Sequence, residues 1–345
     1  VIGNNIANVN TVGYKTSRAT FKEALSQTLL NATAPQGNRG GTNAQQVGLG
    51  AGLGSIDVIH TQGGTQASSS DTDLAIEGTG FFIVTDGEQQ FYTRAGMFEF
   101  DGTGTLISKL NGFALMGYLP GPDGKISSNT SDLSKLQITE QMRSLPPTAT
   151  DKVALSGNVA STTEANESIV RVATVYDANG DTHRVIISFT KTDVNNWTWS
   201  AVLEGDGTNT ELGPADPNER IIVFNDNGTI SSGETGTVTI PASLLALVEN
   251  TDVEFTLDLT GVRQYADETS VAVTMQTGIP KGDLDSISID ENGILIGSYS
   301  NGLIRELGQI ALARFENPPG LLKVGSTMFA KSVNSGDPVI RTANT

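Results

Sequence analysis

Directly after Val1 the chain reads Ile2-Gly-Asn-Asn-Ile-Ala-Asn-Val-Asn-Thr-Val-Gly-Tyr-Lys15. Its apolar positions at i, i+4 and i+7, which predict one face of a helix, are Ile2, Ile6 and Val9. The other faces carry poor helix formers whose amides suit contacts with backbone or with neighbouring chains: Asn4, Asn5, Asn8 and Asn10. We expect Gly13 to end this helix. We expect the helix to begin before residue 1, because the chain has no initiator Met; the alternative is a frayed terminus.

This stretch resembles the N-terminal signature of the bacterial flagellar axial proteins, a family of rod, hook and junction proteins. Three later stretches resemble hook members of that family and follow the family's order. They are residues 73–84 (DLAIEGTGFFIV), residues 91–100 (FYTRAGMFEF), and residues 297–302 (GSYSNG) followed by 307–315 (LGQIALARF). The middle of the chain matches only as a β-rich insert. Because the distal rod members have little or no such insert, its size favours a hook protein.

The resemblance implies a structural subunit that joins its own copies in a flexible, torque-transmitting tube of the motility apparatus. The other partners that it implies are the distal rod protein, the hook cap, the hook-length control protein and the hook–filament junction protein. It also implies export through the flagellar type III apparatus to the cell exterior. The family's terminal helices are not present in this sequence, so we expect this chain alone to polymerise incompletely. A distal rod or other axial paralogue is the alternative within the family.

The composition of the chain favours strands and turns. At 345 residues it is long enough for two domains, and only 17% of its residues are charged. No apolar run is long enough for a membrane span. The absence of cysteine excludes disulfides and thiolate metal sites.

The net charge of −17 argues against partners such as nucleic acid or an anionic membrane surface. Most of this charge is in the middle of the chain. Residues 146–278 contain 19 acidic and 6 basic side chains, a local balance of −13. We interpret this segment as a solvated outer domain.

Residues 17–30 are predicted to form a short helix. Thr20 and Glu23 have the spacing of a capping box, and Phe21, Leu25 and Leu29 form a stripe at i, i+4 and i+8. Residues 31–54 are low in complexity and have no periodicity. They are either a flexible linker or a loop that becomes ordered between subunits. Its apolar anchors would be Val47, Leu49 and Leu53.

From residue 55 the chain shows short apolar runs separated by turn residues, which predicts an all-β fold. We expect a mainly β, elongated chain of two sandwich-like or barrel-like domains. The inner domain would be discontinuous, formed by residues 55–145 and 279–336. The outer domain, residues 146–278, would be inserted in it and consist of two sheets packed by their apolar faces. The last residues, 337–345, would begin a C-terminal segment, and paired strands near residues 144–150 and 276–281 would act as hinges.

Eight strands are predicted in the outer domain: residues 153–159, 168–176, 182–191, 197–203, 221–224, 237–240, 253–259 and 271–275. One helical turn is predicted after Pro241, and it would contain Leu244, Leu245, Leu247 and Val248. The Asp-Gly pairs at residues 86–87 and 101–102 are predicted hairpin turns of the inner domain.

No motif predicts a catalytic, cofactor or metal site. Three acidic turns, at residues 177–181, 225–228 and 290–293, have some likeness to calcium loops, but Asn-Gly favours hairpins and the flanks are predicted strands. The two histidines, His60 and His183, are far apart in the sequence. Trp197 and Trp199 share one face of a strand, so they are core or subunit contacts, or else the sugar platform of an adhesin or carbohydrate-active enzyme.

The candidate functional residues are therefore those that could pack subunits together. They are Ile2, Asn5, Ile6, Asn8, Val9, Tyr14, Phe21, Leu25, Leu29, Val47, Leu49 and Leu53.

Overall fold

The computed structural model describes residues 1–121, 124–126, 132–205, 207, 209–245 and 252–344. The chain forms two compact units. The first contains residues 1–139, 286–297 and 304–345, and the second contains residues 140–285 and 298–303. Strands dominate both units, and the mainly β fold is confirmed.

The first unit begins with an N-terminal arm, which we define as residues 1–58. Its elements are α1 (Ile2–Ala7), β1 (Ser17–Glu23), β2 (Ser26–Leu30), β3 (Gln45–Gly48) and β4 (Ala51–Val58). In the arm, β1 pairs with β4 and β2 pairs with β3, both antiparallel.

The helix predicted for residues 17–30 is wrong, because this segment forms β1 and β2. The Thr20 hydroxyl does not cap a helix but bonds across the ribbon to the Ser55 hydroxyl at 2.7 Å. The partners of β1 in β4 lie 28 to 41 positions away in the sequence, and such tertiary pairing overrides local propensity. The low-complexity segment 31–54 likewise contributes β3 and the first residues of β4.

The expectation that Gly13 ends the first helix is also wrong. α1 ends at Ala7, and Asn8 is its C-cap, with its side-chain nitrogen donating to the Asn4 carbonyl at 2.9 Å. Gly13 has φ +74° and approaches Ala95 so closely that an added Cβ would lie 2.5 Å from the Ala95 nitrogen. This glycine is therefore required by a turn and a close backbone contact.

The first unit continues with β5 (Phe81–Thr85), β6 (Gln90–Thr93), β7 (Phe98–Phe100), β8 (Leu106–Ser108), β9 (Ala114–Tyr118) and β10 (Ser134–Lys135). The predicted hairpins are confirmed, since β5 pairs with β6 and β7 with β8. The Asp86 carboxylate accepts backbone hydrogen bonds from Glu88 and Gln89 and so fixes the first turn.

The second unit contains α2 (Glu140–Arg143), β11 (Ser144–Leu145), β12 (Lys152–Ala160), β13 (Ser168–Tyr176), β14 (Thr182–Asp193), β15 (Asn196–Leu203), β16 (Ile221–Phe224), β17 (Ile230–Ser232), β18 (Thr235–Ile240), β19 (Val253–Tyr265) and β20 (Ala272–Gln276). All eight predicted strands are confirmed, and β17 is an addition. The described part of this unit also includes the 3-10 turns Pro217–Arg220 and Ala242–Leu244. Leu245 follows the second of them, whereas Leu247 and Val248 of the predicted helical turn lie outside the described residues.

Two sheets enclose one apolar core in this unit, as predicted. The strand orders are β18-β19-β12-β20 and β13-β14-β15-β16-β17. The core contains Phe189, Trp197, Trp199, Phe255 and their aliphatic neighbours. One pairing is parallel, β12 with β19, while the other pairings of these two sheets are antiparallel.

Two linker segments, residues 144–150 and 276–281, run antiparallel beside each other. Thr148 and Ile279 exchange two backbone hydrogen bonds of 2.9 Å. Thr150 is buried, and its hydroxyl accepts a hydrogen bond from the Tyr176 amide at 2.9 Å. The predicted hinge strands are thus paired segments anchored to β13.

The remaining strands are β21 (Gly282–Ile289), β22 (Ile294–Tyr299), β23 (Ile304–Arg314), β24 (Leu322–Gly325), β25 (Met328–Ala330) and β26 (Val339–Thr342). In the first unit β23 pairs with β5, β9 and β26, and β25 pairs with β6. The predicted C-terminal segment, residues 337–345, therefore contributes β26 to this sheet. A 3-10 turn, Pro318–Gly320, precedes β24. The core includes Phe81, Tyr92, Tyr118, Phe315 and Phe329.

Candidate subunit-packing surface

Asn5 fixes the helix of the arm to the start of β1. Its side-chain oxygen accepts hydrogen bonds from the Ser17 amide at 3.0 Å and from the Tyr14 hydroxyl at 3.1 Å. Its side-chain nitrogen donates to the Ser17 carbonyl at 2.8 Å. Two of the predicted packing residues, Asn5 and Tyr14, are thus bound to each other within the chain.

A lysine from the far end of the sequence supports the same junction. Lys323, in β24, lies 4.8 Å from the centre of the Tyr14 ring, a cation–π contact. Its Nζ donates to the Lys15 carbonyl at 2.9 Å and to the Ser17 hydroxyl at 3.1 Å. Burial lowers the pKa of Lys323. No local pattern in the sequence indicates this residue, because its partner lies about three hundred positions away.

The apolar side of α1 faces solvent. Ile2, Ile6 and Val9 are between 68% and 77% exposed. The Asn8 side chain forms hydrogen bonds within the arm, and its oxygen accepts one from the Thr11 hydroxyl at 3.1 Å. Ile2 and Ile6 belong to α1 and Val9 follows its C-cap, and a group of three exposed aliphatic side chains is typical of a surface that a partner covers.

The strands of the arm also expose apolar side chains. Phe21 lies opposite Leu53 in the register of β1 and β4, and both are more than half exposed. Their exposed neighbours on the ribbon are Leu25, Leu29, Val47 and Leu49. We call these six residues, with Ile2, Ile6 and Val9, the exposed arm surface. Leu30 and Ile56 are exposed on the same strands and are absent from the sequence-based set.

His60 lies just after the arm in an apolar and cationic setting. Its ring contacts the rings of Phe81 and Phe329, with centroids 5.6 and 5.2 Å away. Burial and, to a smaller extent, the charges of Lys15, Arg94 and Lys323 together lower the pKa of His60 to about 4, against a weaker opposing effect of the Pro318 backbone. This histidine is therefore neutral at ordinary pH.

His183 belongs to the second unit and has a different partner. Its Nε2 lies 2.9 Å from a carboxylate oxygen of Asp177, which is fully buried. Burial raises the pKa of Asp177, but hydrogen bonds from His183 and from the amides of Asp181 and Asn179 outweigh it, so the pKa is lowered. The two histidines therefore have different partners, aromatic rings for His60 and a carboxylate for His183.

The acidic turns are hairpin turns, as predicted. In the turn between β13 and β14, Asp177 Oδ1 accepts from two amides of its own loop, and Gly180 has φ +87°. Asp290 binds the amides of Asn292 and Ile294 in the same way. Across the described ranges no group of three potential metal ligands occurs.

Both tryptophans are core residues, so the sugar-platform interpretation is wrong. Trp197 and Trp199 are at most 1% exposed. The Trp197 indole donates to the Gln264 side-chain oxygen at 2.6 Å.

A cleft of about 950 Å³ lies in the first unit, and residues 73–82 and 310–314 form much of its wall. Asp73 in this wall is bonded to the Ser68 hydroxyl at 2.6 Å and to Lys109 at 2.9 Å. These two hydrogen bonds lower the pKa of Asp73, which suits a structural carboxylate better than a proton donor. Among the described helices, none has the length and apolarity needed to cross a membrane.

Comparison with sequence families gives three matches. Residues 144–279 match the flagellar basal body protein FlaE D2 domain, residues 75–146 match the flagellar hook protein FlgE/F/G D1 domain, and residues 1–15 match the flagella basal body rod protein family.

Individual proteins match over most of the chain. The flagellar hook protein FlgE of Treponema pallidum is 34% identical over 97% of this chain and 82% of its own length. That of Borreliella burgdorferi is 34% identical over 97% of this chain and 81% of its own length. The basal-body rod protein FlgG of Bacillus subtilis is 46% identical but matches only 37% of this chain and 53% of itself.

A solved structure shares the fold. The flagellar hook protein FlgE2 of Helicobacter pylori superposes with a TM-score of 0.57 over 80% of this chain and 96% of its own, at 14% identity.

Proposed function

Since this chain belongs to the flagellar hook protein family and is a structural subunit of the bacterial flagellar hook, we propose that its copies assemble through the exposed arm surface into a flexible tube. The tube transmits torque from the rod to the filament. The observation that carries this proposal is the similarity to hook proteins over 97% of the chain. The rod relative covers only 37%, which disfavours a rod subunit.

In this proposal, the exposed arm surface provides the contacts that hold neighbouring subunits together. Burying one Val, Leu, Ile or Phe side chain contributes about 1.5–3 kcal/mol. The nine large apolar side chains of this surface are mostly exposed in the single chain, so covering them with neighbours provides a strong driving force for assembly. In a helical array this contact is heterologous and repeats without closing.

The mechanical part of the proposal uses the two paired linkers, both of which belong to the second unit, residues 140–285 and 298–303. In the proposal, residues 55–145 and 279–336 form the inner domain, residues 146–278 form the outer domain, and residues 31–54 lie between subunits. The paired linkers at residues 144–150 and 276–281 act as the hinge. Two strands paired by few backbone hydrogen bonds bend more easily than a packed sandwich.

Membership of the family supports self-polymerisation and contact with other axial proteins of the flagellum. The specific partners that we propose are the distal rod protein, the hook cap, the hook-length control protein and the hook–filament junction protein. We propose that the subunit leaves the cell through the flagellar type III apparatus and acts outside it. Its role is structural, and the proposal includes no catalytic activity, cofactor or metal.

Assembly of tubes tests the proposal. The hook protein of Treponema pallidum extends beyond the aligned region, since this chain covers 82% of it. We would flank this chain with those terminal segments, concentrate the purified protein and image it by electron microscopy. Curved tubes are expected. Straight tubes would support a rod subunit instead, and a failure to form any tube would contradict the proposal, provided that the Treponema pallidum protein assembles under the same conditions.

A further inference from the structure

Two cationic side chains converge on His60 in the first unit. Lys15 is buried, and its Nζ donates to the carbonyl of Thr61, the residue after His60, at 2.7 Å. The centroid of the Phe81 ring lies 5.2 Å from the guanidinium carbon of Arg94 and 5.6 Å from the centroid of the His60 ring. The positive charges of Lys15 and Arg94 both act on the imidazole. Side chains that are far apart in the sequence thus share one small region.

Lys323 adds a third positive charge to this region. Its Nζ donates to the Lys15 carbonyl at 2.9 Å, and its charge also acts on the His60 ring. We call Lys15, His60, Arg94 and Lys323 the cationic junction. The junction lies within the first unit, and it connects the arm, the segment that follows the arm, the turn after β6, and β24.

No carboxylate of the described residues forms an ion pair with Lys15, Arg94 or Lys323. Acidic residues are not scarce, since the chain has 38 of them and a net charge of −17. Burial lowers the pKa of all three cations, and for Lys15 the charge of Arg94 lowers it further. An ion of opposite sign stabilises like charges that are held partly out of water more than it stabilises charges in open solvent. The cationic junction therefore favours the binding of an anion.

The junction also holds polar nitrogens that the described part of the chain does not use. Both ring nitrogens of His60 and the Nε of Arg94 are buried, and no group among the described residues meets them with hydrogen-bond geometry. The Pro318 backbone acts on the His60 ring only weakly. Neutral imidazole carries one N–H, and Lys15 makes one of the three hydrogen bonds that an ammonium group can donate. Convergent N–H donors that carry positive charge are the groups with which proteins bind oxyanions.

The junction is open to solvent on one side. Residues 61–64 are exposed, and a Cβ added at Gly63, Gly64 or Gly78 would meet no atom within 4 Å. The Arg94 guanidinium lies beside Gly78, since it donates to the carbonyl of this glycine at 2.8 Å. A small ion can therefore approach the guanidinium from water.

We propose that the cationic junction binds one small, multiply charged oxyanion of the phosphate or sulfate class. Three positive charges favour such an ion over a carboxylate, because a carboxylate balances only one of them. The bound ion connects four segments of the chain and so holds the arm to the rest of the first unit. This site goes beyond the proposed function, since it is complete in a single chain and its test does not depend on tube formation.

Proton NMR of the histidine rings tests the proposal, because His60 and His183 are the only two histidines in the chain. Inorganic phosphate is added to the purified chain at neutral pH, with sodium chloride at matched ionic strength as the reference. Phosphate is expected to shift the ring resonances of His60 with a dissociation constant of about 1 mM or below. The resonances of His183, which is bonded to Asp177 in the second unit, should stay in place. The His60→Leu variant assigns the two sets of resonances.

A pH titration of the same resonances adds a second readout. Sulfate is used here because it stays doubly charged while the imidazole titrates. Bound sulfate should raise the pKa of His60 above its value in sodium chloride of equal ionic strength, because an anion next to the ring favours the imidazolium form. The pKa of His183 should be the same in both salts.

Substitution of one cation locates the site. Lys323→Gln removes a positive charge and keeps a side chain that can donate, and it should weaken phosphate binding about tenfold or more through the loss of one charge-assisted hydrogen bond. The matched control is Lys22→Gln, which removes the same charge at an exposed position of β1 and should change the affinity by less than about threefold. Lys323 is itself exposed, so both variants should stay folded, and circular dichroism checks this.

Acetate tests the class of the ligand, because it offers a single carboxylate charge. It should bind about tenfold more weakly than phosphate. Equal effects of phosphate and chloride on His60, equal phosphate affinities of Lys323→Gln and Lys22→Gln, or acetate binding as tight as that of phosphate would each overturn the proposal. Tube formation is scored separately, so a protein that forms tubes and gives any of these three results would lack the oxyanion site and leave the proposed function intact.

Discussion

Asn5 and Tyr14 are joined by a hydrogen bond of 3.1 Å, in which the tyrosine hydroxyl donates to the asparagine side-chain oxygen. Because Asn5 also binds both the amide and the carbonyl of Ser17, one side chain connects α1, the following turn and β1. The arm therefore has a defined shape before any neighbour binds it. A pre-shaped arm loses less conformational entropy on assembly than a disordered one.

The first prediction concerns this connection. Asn5→Ala should loosen residues 1–16, because it leaves the Ser17 amide and the Tyr14 hydroxyl without their acceptor, at a cost of about 1–3 kcal/mol. Hydrogen exchange of the Ser17 amide should accelerate by roughly five- to a hundredfold, while exchange in the second unit stays unchanged. The control is Asn10→Ala, at an exposed position of the same stretch. Equal exchange of Ser17 in the two variants would show that Asn5 does not hold the arm.

The second prediction concerns pH. The pKa of His60 is about 4 in the folded chain and near 6.5 when the residue is free, so the unfolded chain binds a proton first as pH falls. Stability contributed by neutral His60 is thus complete above pH 6.5, decreases as pH falls towards 4, and is constant below that. The difference corresponds to at most about 3 kcal/mol, and for a partly exposed ring we expect on the order of 2 kcal/mol.

Urea unfolding at a series of pH values measures this effect. Wild type should lose more stability between pH 7 and pH 4 than His60→Leu, which cannot bind the proton. Carboxylates such as Asp258, with a pKa of about 2, titrate in both proteins and cancel in the comparison. Parallel curves for the two proteins would contradict the low pKa of His60.

The third prediction concerns the core of the second unit. Gly236 of β18 lies against the Trp199 ring, and an added Cβ would overlap the six-membered part of that ring. Gly236→Ala should destabilise this unit by about 1–3 kcal/mol through overpacking. Urea unfolding monitored by tryptophan fluorescence measures the loss. The control is Gly102→Ala, which meets no atom within 4 Å and should leave the same transition in place. A Gly236→Ala protein as stable as the control would mean that Trp199 can move aside.

The sequence predicted strand bounds well where turn residues flank a short apolar segment. The bounds of β13 and β16 were predicted as observed, because Asn-Gly turns follow both segments. The parallel pairing of β12 with β19 was not predictable, since alternation shows which face is buried but not which strand lies alongside.

Phe21, Leu25 and Leu29 show why the arm was assigned wrongly. A spacing of four residues fits one face of a helix and also one face of a strand, because four is a multiple of the strand period of two. The long-range pairing with residues 51–58 decides between them. Their spacing still predicted that these side chains pack against another surface, and in the single chain they are exposed. The use of Asn5 within the chain could not be predicted, because it depends on where Tyr14 and Ser17 meet.

The fourth prediction concerns the linkers. The buried Thr150 hydroxyl accepts from the Tyr176 amide at 2.9 Å and donates to Gln276 at 3.4 Å, so it connects both linkers to β13. Thr150→Val has nearly the same shape and removes both bonds, which should cost about 1–3 kcal/mol because the Tyr176 amide loses its acceptor. Faster hydrogen exchange at Thr148, Tyr176 and Ile279 is the expected readout. The control is Thr237→Val at an exposed site, which should change exchange of these three amides little. Unchanged protection of the three amides in Thr150→Val would exclude the anchoring role of Thr150.

The last prediction separates assembly from folding. Phe21 and Leu53 face each other across β1 and β4, and 73% and 54% of their surfaces are exposed. Side chains this exposed contribute little to the fold, so Phe21→Ser with Leu53→Ser should shift the free energy of unfolding by no more than about 0.5 kcal/mol per site. In a tube the same two side chains would be covered by a neighbour, and their loss would remove about 3–6 kcal/mol from every contact. The double variant with the terminal segments of the Treponema pallidum protein should therefore stay folded but fail to form tubes at concentrations where wild type assembles. Gln27→Ser, at an exposed polar position of β2, is the control and should assemble normally. Normal assembly of the double variant would remove the strands of the arm from the subunit interface, whereas unfolding of the single chain would show that these side chains stabilise the fold instead.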